Sequence, residues 1–133
     1  MQHQVPPQAA ILQVIAGYWL SCADYAAARL KLADKVNGKT SLSAFAQLND
    51  TRPKSLRRLM RALTSHGYFR EEPDGTSVQK PQSAALRSDG PASMRAIAEA
   101  DLGHDHYYSW RAVETCLFQS GTAFERVGRE LRR

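Results

Sequence analysis

The first long helix that the sequence predicts is apolar on two faces. Residues 8–30, QAAILQVIAGYWLSCADYAAARL, carry two stripes with the helical period of about 3.6 residues. One stripe comprises Ile11, Ile15, Tyr18, Cys22 and Tyr25, and the other comprises Leu12, Ala16, Trp19, Ala23 and Ala26. A helix that is apolar on all sides must be buried on all sides. A small domain rarely buries its first helix so completely, so the pattern favours a subunit interface over the alternative of a central core helix in a monomer.

The expected interface lies in the first part of this helix. Its candidate residues are Ile11, Leu12, Ile15, Tyr18, Trp19 and Cys22. Tyr18 and Trp19 offer large aromatic surfaces, and such side chains often dominate the free energy of association. Gly17 predicts a bend in the helix. The sequence therefore predicts a homodimer.

The composition fits one domain of ordinary size. The chain has 133 residues, of which 43% are hydrophobic. No run of about 18 apolar residues predicts a transmembrane helix, and the N-terminus lacks the pattern of a signal peptide. Cys22 and Cys116 have no CxxC spacing and are predicted to be buried free thiols, which is typical of a cytoplasmic protein. We therefore expect a cytoplasmic protein, and we expect no membrane partner. The net charge of +5 weakly favours acidic partners.

The middle of the sequence predicts a helix, a turn, a helix and a hairpin in succession. A short helix is predicted over residues 42–48, and a second one begins at Pro53 and ends at Gly67. Two strands, residues 68–71 and 76–80, then flank the turn residues PDG. This order is typical of a winged helix-turn-helix.

Further elements surround this motif. Thr40 and Ser41 can cap the short helix that follows them. Additional helices are predicted over residues 30–36, 83–87, 91–102 and 105–119, and another begins at SGTAFERV. The predicted fold is therefore mainly α: a winged helix-turn-helix-like dimerisation domain with a small β-hairpin and additional C-terminal helices.

The second helix of the motif has a basic face. Its apolar face is formed by Leu56, Leu59, Met60 and Leu63, and the opposite face carries Lys54, Arg57, Arg58 and Arg61. Such a face can enter the major groove, so a DNA-binding transcriptional regulator is the alternative function. The hairpin tip EEPDG, however, places three acidic residues where a DNA-binding wing would meet phosphates. A solvated helix face, or arginines paired with acidic neighbours, also explains the pattern, and we expect no nucleic-acid partner.

Four sequence blocks carry a resemblance to a known family. They are GYWLSCADYAAARLKLADKV, SLRRLMRALTSHGYFRE, ALRSDGPASMRAIA and HYYSWRAVETCLFQSGTAFERV. In this order they resemble the N-terminal region of S-adenosylmethionine-dependent O-methyltransferases, of the bacterial polyketide and phenazine type that is kin to the plant caffeate type. The resemblance implies a winged-helix-like dimerisation domain that binds no DNA and closes over the substrate pocket of a catalytic domain.

The resemblance also implies a division of the chain. We expect an N-terminal tail over residues 1–9, the dimerisation domain over 10–103, and a helical connector toward an absent catalytic domain over 104–133. The eight glycines are dispersed and form no Gly-rich cofactor turn. No residue therefore matches a catalytic or cofactor-binding position of the family. We expect a truncated chain that is inactive alone, with S-adenosylmethionine bound only by a full-length enzyme.

The segment HDHYYSW corresponds to a family helix that borders the substrate pocket. By this resemblance His106, Tyr107 and Trp110 are candidates for the wall that contacts an aromatic small molecule. The alternative is that Trp110 anchors the core and that the histidines are exposed. No metal site is predicted, because His104 and His106 are one residue apart and point in different directions on a helix.

Overall fold

The computed structural model describes residues 5–130, in which helices surround a small sheet. The helices are α1 Pro7–Arg29, α2 Leu42–Leu48, α3 Pro53–Ser65, α4 Pro81–Ala84, α5 Arg95–Asp101, α6 His104–Arg111, α7 Val113–Phe118 and α8 Ala123–Glu130. The strands are β1 Thr40–Ser41, β2 Phe69–Glu71 and β3 Thr76–Gln79. They form an antiparallel sheet in the order β1–β3–β2. The predicted mainly α, winged-helix-like fold is confirmed.

Local signals fix the ends of the central helices. The Ser41 hydroxyl caps α2 by accepting a hydrogen bond from the Ala44 N–H at 3.2 Å. Pro53 occupies the first turn of α3, where its missing N–H costs nothing. Gly67, at φ +81°, ends α3 in the left-handed conformation that glycine tolerates. The chain then reverses into β2.

Three predictions of local structure differ from the fold. Thr40 and Ser41 form β1, which pairs with β3, in addition to the capping role expected of them. The segment after α1 holds only a single 3-10 turn, Ala33–Lys35, because Lys31 adopts φ +51° and ends the regular helix. The helix predicted over 105–119 is divided at Ala112 into α6 and α7.

The core lies where α1, α2 and α3 meet the sheet. Phe45 of α2 and Leu63 of α3 are fully buried, and the Phe45 ring meets that of Phe69 edge-on at 6.3 Å between centroids. Burial of each such side chain stabilises the fold by about 1.5–3 kcal/mol. From α1, Ala23 and Ala27 join this core, so only the C-terminal half of the helix is packed within the chain.

The N-terminal half of α1 does not pack in the chain's own core, which excludes the alternative of a central core helix for this half. From Ile11 to Trp19 most of its side chains are exposed, and the helix continues through Gly17 without interruption. Both cysteines are free, but Cys22 is exposed and Cys116 is half-buried, so the prediction of buried thiols is wrong for this chain.

The remaining helices complete the chain around this core. α5 packs against α1, and α6 packs against α8. Among residues 5–130 no helix is long and apolar enough to cross a membrane. The division at residues 9 and 103 stays a prediction, and part of the proposed tail, residues 1–4, lies outside the described residues.

Candidate functional site

The first candidate surface is the exposed half of α1. The predicted interface residues Ile11, Leu12, Ile15, Tyr18 and Trp19 are each 50–62% exposed, and Cys22 is exposed beside them. Tyr18 and Trp19 meet edge-on with ring centroids 5.8 Å apart. Val14, which the prediction omitted, is 81% exposed. We call this surface, from Ile11 to Cys22, the α1 patch. An apolar patch of this extent is typical of an interaction site.

Sequence reasoning missed a second set of exposed apolar residues. They lie on α7, on α8 and on α5 with the residue before it, and they comprise Met94, Ile97, Val113, Leu117, Phe118 and Phe124. Their signal in the sequence is weak because these helices are short and each contributes only a few large apolar side chains to the surface.

A groove lies between α1 and α6. It has a volume of about 400 Å³ and is lined by Tyr18, Ser21, Asp101, Leu102, Tyr107, Trp110 and Arg111. We call it the aromatic groove. Two of the three candidates for the substrate wall, Tyr107 and Trp110, line it. Trp110 is 66% exposed, which excludes a role as core anchor within the described part of the chain.

His106, the third wall candidate, lies outside the lining of the aromatic groove. Its ring is edge-on to that of Trp110, with centroids 6.3 Å apart, and its Nδ1 lies 3.0 Å from the Asp101 carbonyl oxygen. His106 therefore contacts the ring of Trp110 from outside the groove. The role of all three residues in substrate contact stays a prediction.

A second cavity adjoins the aromatic groove and shares Ser21, Asp101 and Leu102 with it. It has a volume of about 360 Å³ and lies between α1, α5, the segment that joins α3 to the hairpin, and α4 with the residues that follow it. Its lining includes Asp24, Tyr68, Leu86, Met94, Ile97 and Leu102. We call it the Asp24 cavity.

An acid–phenol pair lies in the wall of the Asp24 cavity. The Tyr68 hydroxyl donates a hydrogen bond of 2.8 Å to Asp24 Oδ2. Asp24 Oδ1 is buried and accepts no hydrogen bond from any described residue. Burial raises the pKa of Asp24, an effect that the hydrogen bond from Tyr68 and the nearby His66 only partly oppose. Burial and the bond to Asp24 raise the pKa of Tyr68 to about 12, so the phenol remains a donor at neutral pH.

The sequence analysis did not single out this pair. Asp24 and Tyr68 are 44 residues apart, so no local pattern joins them. One signal was present: Asp24 is the only charged residue of α1 before Arg29. A charge within an otherwise apolar helix is a reason to look for a buried partner.

The basic face of α3 is present as predicted. Lys54, Arg57, Arg58 and Arg61 are exposed, and within residues 5–130 none of them forms an ion pair with a carboxylate. At the hairpin tip Arg70 pairs with Glu72 at 2.7 Å, and Lys39 lies 3.4 Å from Asp74. Two of the three acids that argued against a DNA-binding wing are thus paired with cations.

The two histidines of α6 each lie near one acidic side chain. The ring nitrogens of His104 and His106 each lie 3.6 Å from one aspartate, Asp105 and Asp101 respectively. No group of three or more His, Cys, Asp or Glu residues that could hold a metal ion occurs in the described part of the chain.

Comparison with known proteins agrees with this geometry. Residues 12–86 match the model of the O-methyltransferase dimerisation domain. The chain is 34% identical over 123 residues to the phenazine O-methyltransferase PhzM of Lysobacter antibioticus, an alignment that covers 92% of this chain and 36% of that protein.

Solved structures are similar over nearly the whole chain. The crystal structure of LaPhzM has a TM-score of 0.84 and 33% identity, over 92% of this chain and 37% of that one. The N,N-8-amino-8-demethyl-D-riboflavin dimethyltransferase RosA of Streptomyces davawensis has a TM-score of 0.88 and 25% identity, over 94% of this chain and 38% of that one. The chain thus spans little more than a third of the length of these relatives. Because the family model matches more than half of its residues, the chain belongs to the family of O-methyltransferase dimerisation domains.

Proposed function

We propose that the chain forms a homodimer through the α1 patch. The family supports a homodimer. The observation that supports this surface is that one half of the helix exposes large apolar side chains while the other half is in the core. The six exposed side chains are those of Ile11, Leu12, Val14, Ile15, Tyr18 and Trp19. Cys22 completes the proposed interface. Removing this apolar surface from water drives association of a second copy.

Trp19 is the proposed anchor of the interface. Its side chain is 62% exposed in the single chain, so its truncation removes little packing within the chain. Loss of a central aromatic anchor costs on the order of 2–4 kcal/mol of binding free energy, which weakens a dimer about 30- to 1,000-fold. We expect Trp19→Ala to produce monomers over a concentration range in which the wild type is dimeric.

Light scattering coupled to size-exclusion chromatography measures this effect. Leu48→Ala is the matched control, because Leu48 is a 57% exposed apolar residue of α2 outside the α1 patch. The control should keep the wild-type mass. An unchanged mass for Trp19→Ala, across a dilution series that dissociates the wild type, would remove Trp19 from the interface.

We further propose that the dimer serves an S-adenosylmethionine-dependent O-methyltransferase. The membership in the family and the similarity to PhzM support this role. Because no Gly-rich cofactor turn occurs in the sequence, we expect the chain alone to bind no S-adenosylmethionine. Calorimetric titration with the cofactor tests this, and micromolar binding would contradict it. We also propose a cytoplasmic location, which the two free thiols support.

An aromatic small molecule is the proposed ligand of the aromatic groove. Tyr107 and Trp110 offer ring surfaces to it, and His106 is proposed to reach it after a change of rotamer. Titration with phenazine, followed by tryptophan fluorescence, tests this proposal. The change in signal should disappear in Trp110→Phe and persist in Trp19→Phe, and the reverse result would place the ligand at the α1 patch.

Duplex DNA binding is a second candidate function, which the exposed basic face of α3 favours. A DNA-binding face that contacts several phosphates loses affinity steeply as the salt concentration rises. Joint replacement of Arg57, Arg58 and Arg61 by glutamine should then abolish both the binding and its salt dependence. Duplex binding that this triple variant leaves unchanged would exclude the basic face as the site.

A further inference from the structure

We propose that the basic face of α3 is a docking surface for an acidic helix of a partner protein. The face comprises Lys54, Arg57, Arg58 and Arg61, all of which are exposed. The inference goes beyond the proposed homodimer, because none of these residues belongs to the α1 patch. It rests on the single sign of charge on α3, on two clefts beside the face, and on the spacing of the four cations.

The charge on α3 is of one sign. The helix contains four cations and no acidic residue. Each of the four cations has two others three or four positions away, and like charges at these separations destabilise a helix. Within residues 5–130 no carboxylate forms an ion pair with α3, whereas Arg70, Arg87 and Arg95 each pair with a nearby acid. An anionic partner would relieve this repulsion, and local conflicts of this kind are expected at functional sites.

Two clefts beside the basic face can receive carboxylate side chains. The larger cleft has a volume of about 560 Å³, with Arg58 and Arg61 in its lining. The smaller cleft has a volume of about 130 Å³, with Arg57 and Arg61 in its lining. Thr64 lines both clefts, and its hydroxyl is a further donor. Because a guanidinium group can hold a carboxylate through two parallel hydrogen bonds, acids spaced along a partner can bind in both clefts.

The spacing of the cations suits a helix. Lys54 and Arg61 are seven residues apart, which is about 10.5 Å along the helix axis at about 1.5 Å per residue. A partner helix with acids at positions i, i+3, i+4 and i+7 presents four carboxylates over the same length. An extended segment presents one side chain on a given face about every 6.6 Å, so it offers only about two. A helix can therefore pair with more of the face than an extended segment can.

The hairpin beside the face favours a protein partner over duplex DNA. Glu71 of β2 lines both clefts. The other two acids of the hairpin tip, Glu72 and Asp74, already pair with cations. The phosphates that flank the major groove of a duplex would approach Glu71, and a phosphate backbone is negative at every position. A partner helix, about 10–12 Å wide, can instead place a neutral or basic residue opposite Glu71.

Two synthetic peptides test the inference by fluorescence anisotropy at pH 7 and low salt. Both are alanine-based, contain the same number of glutamates and carry a hydrocarbon staple that keeps them helical. In the stripe peptide the glutamates lie on one face at i, i+3, i+4 and i+7, and in the dispersed peptide they are spread around the helix. We expect the stripe peptide to bind about 3- to 30-fold more tightly, because it forms about two more ion pairs of the modest strength usual at surfaces.

Variants locate the binding. The double variant Arg57→Gln, Arg61→Gln should weaken the stripe peptide about 3- to 30-fold and remove the preference over the dispersed peptide. Arg29→Gln, Arg129→Gln is the charge-matched control, because both arginines are exposed and line neither cleft. The control should bind the stripe peptide like the wild type.

Four results would overturn the inference. One is equal affinity for the two peptides, and another is unchanged affinity for the stripe peptide in the double variant Arg57→Gln, Arg61→Gln. The third is tighter binding of duplex DNA than of the stripe peptide at physiological salt, which would assign the face to nucleic acid. The fourth is loss of the dimer mass in the same double variant by light scattering, which would mean that a second copy covers the face.

Discussion

The hydrogen bond between Tyr68 and Asp24 makes a specific contribution to stability. It joins α1 to the segment that precedes β2, with 2.8 Å between the two oxygens. A hydrogen bond to a charged group stabilises a fold by about 1.5–3 kcal/mol. Because both side chains are only partly buried, solvent screening lowers the value for Tyr68→Phe to about 1–2 kcal/mol at neutral pH. For a domain of this length the melting temperature should fall by about 3–8 °C.

The loss should depend on pH in a direction that the structure fixes. The pKa of Asp24 is raised above its ordinary value of 3.8 in the folded chain. The free energy of unfolding therefore falls as pH rises from the ordinary pKa of 3.8 through the higher pKa of the folded state, because the folded chain disfavours the ionised carboxyl. Tyr68→Phe removes the donor that favours the charged form, so the destabilisation should be largest at neutral pH. It should shrink below the folded pKa, where Asp24 is protonated.

Urea denaturation of the wild type and Tyr68→Phe at several values between pH 7 and pH 4 measures this difference. Tyr25→Phe is the matched control, because Tyr25 is a half-buried tyrosine of α1 whose hydroxyl forms no hydrogen bond with another described residue. It should change the free energy of unfolding by less than about 0.5 kcal/mol. A deficit for Tyr68→Phe that is the same at every pH would refute the assignment of the bond to an ionised Asp24.

Two further variants probe the core and a loop anchor. Phe45→Ala should lower the free energy of unfolding by about 3–5 kcal/mol in chemical denaturation, because the ring is fully buried. Phe118→Ala is the control: Phe118 is 81% exposed, so the change should have almost no effect on the free energy of unfolding. Asp34→Asn should lower the melting temperature at pH 7. Burial raises the pKa of Asp34, but the Asp34 carboxylate accepts hydrogen bonds from the Ser88 N–H (2.7 Å) and hydroxyl (2.5 Å). These bonds outweigh the effect of burial and hold the pKa of Asp34 below 3.8. That stabilisation is present above pH 3.8 and is lost as pH falls through the lowered pKa, so an equal deficit at pH 7 and at pH 2.5 would contradict the assignment.

The elements with local signals were predictable from the sequence. α3 follows from its amphipathic pattern and from Pro53 and Gly67 at its ends. β1 was not predictable, because two residues carry no alternation and the strand exists only through its pairing with β3. The division of the last predicted helix at Ala112 also has no local signal, since neither glycine nor proline lies there.

The candidate site was predictable in part for the same reason. The α1 patch can be read from one continuous stretch, and all six predicted interface residues are exposed on it. The Asp24 cavity depends on side chains brought together from α1, the segment before β2, α4 with the residues after it, and α5. Periodicity within one helix cannot show such a contact, and only the unexpected charge at Asp24 pointed to it.

The reactivity of Cys22 tests the proposed dimer most directly, because this exposed thiol lies at the edge of the α1 patch. In a Cys116→Ala variant, the rate of reaction with a thiol reagent is measured over a range of protein concentrations, beside the mass by sedimentation equilibrium. We predict that the rate falls as the mass rises from monomer to dimer, since the partner covers Cys22. A rate that stays constant while the dimer forms would show that association uses another surface.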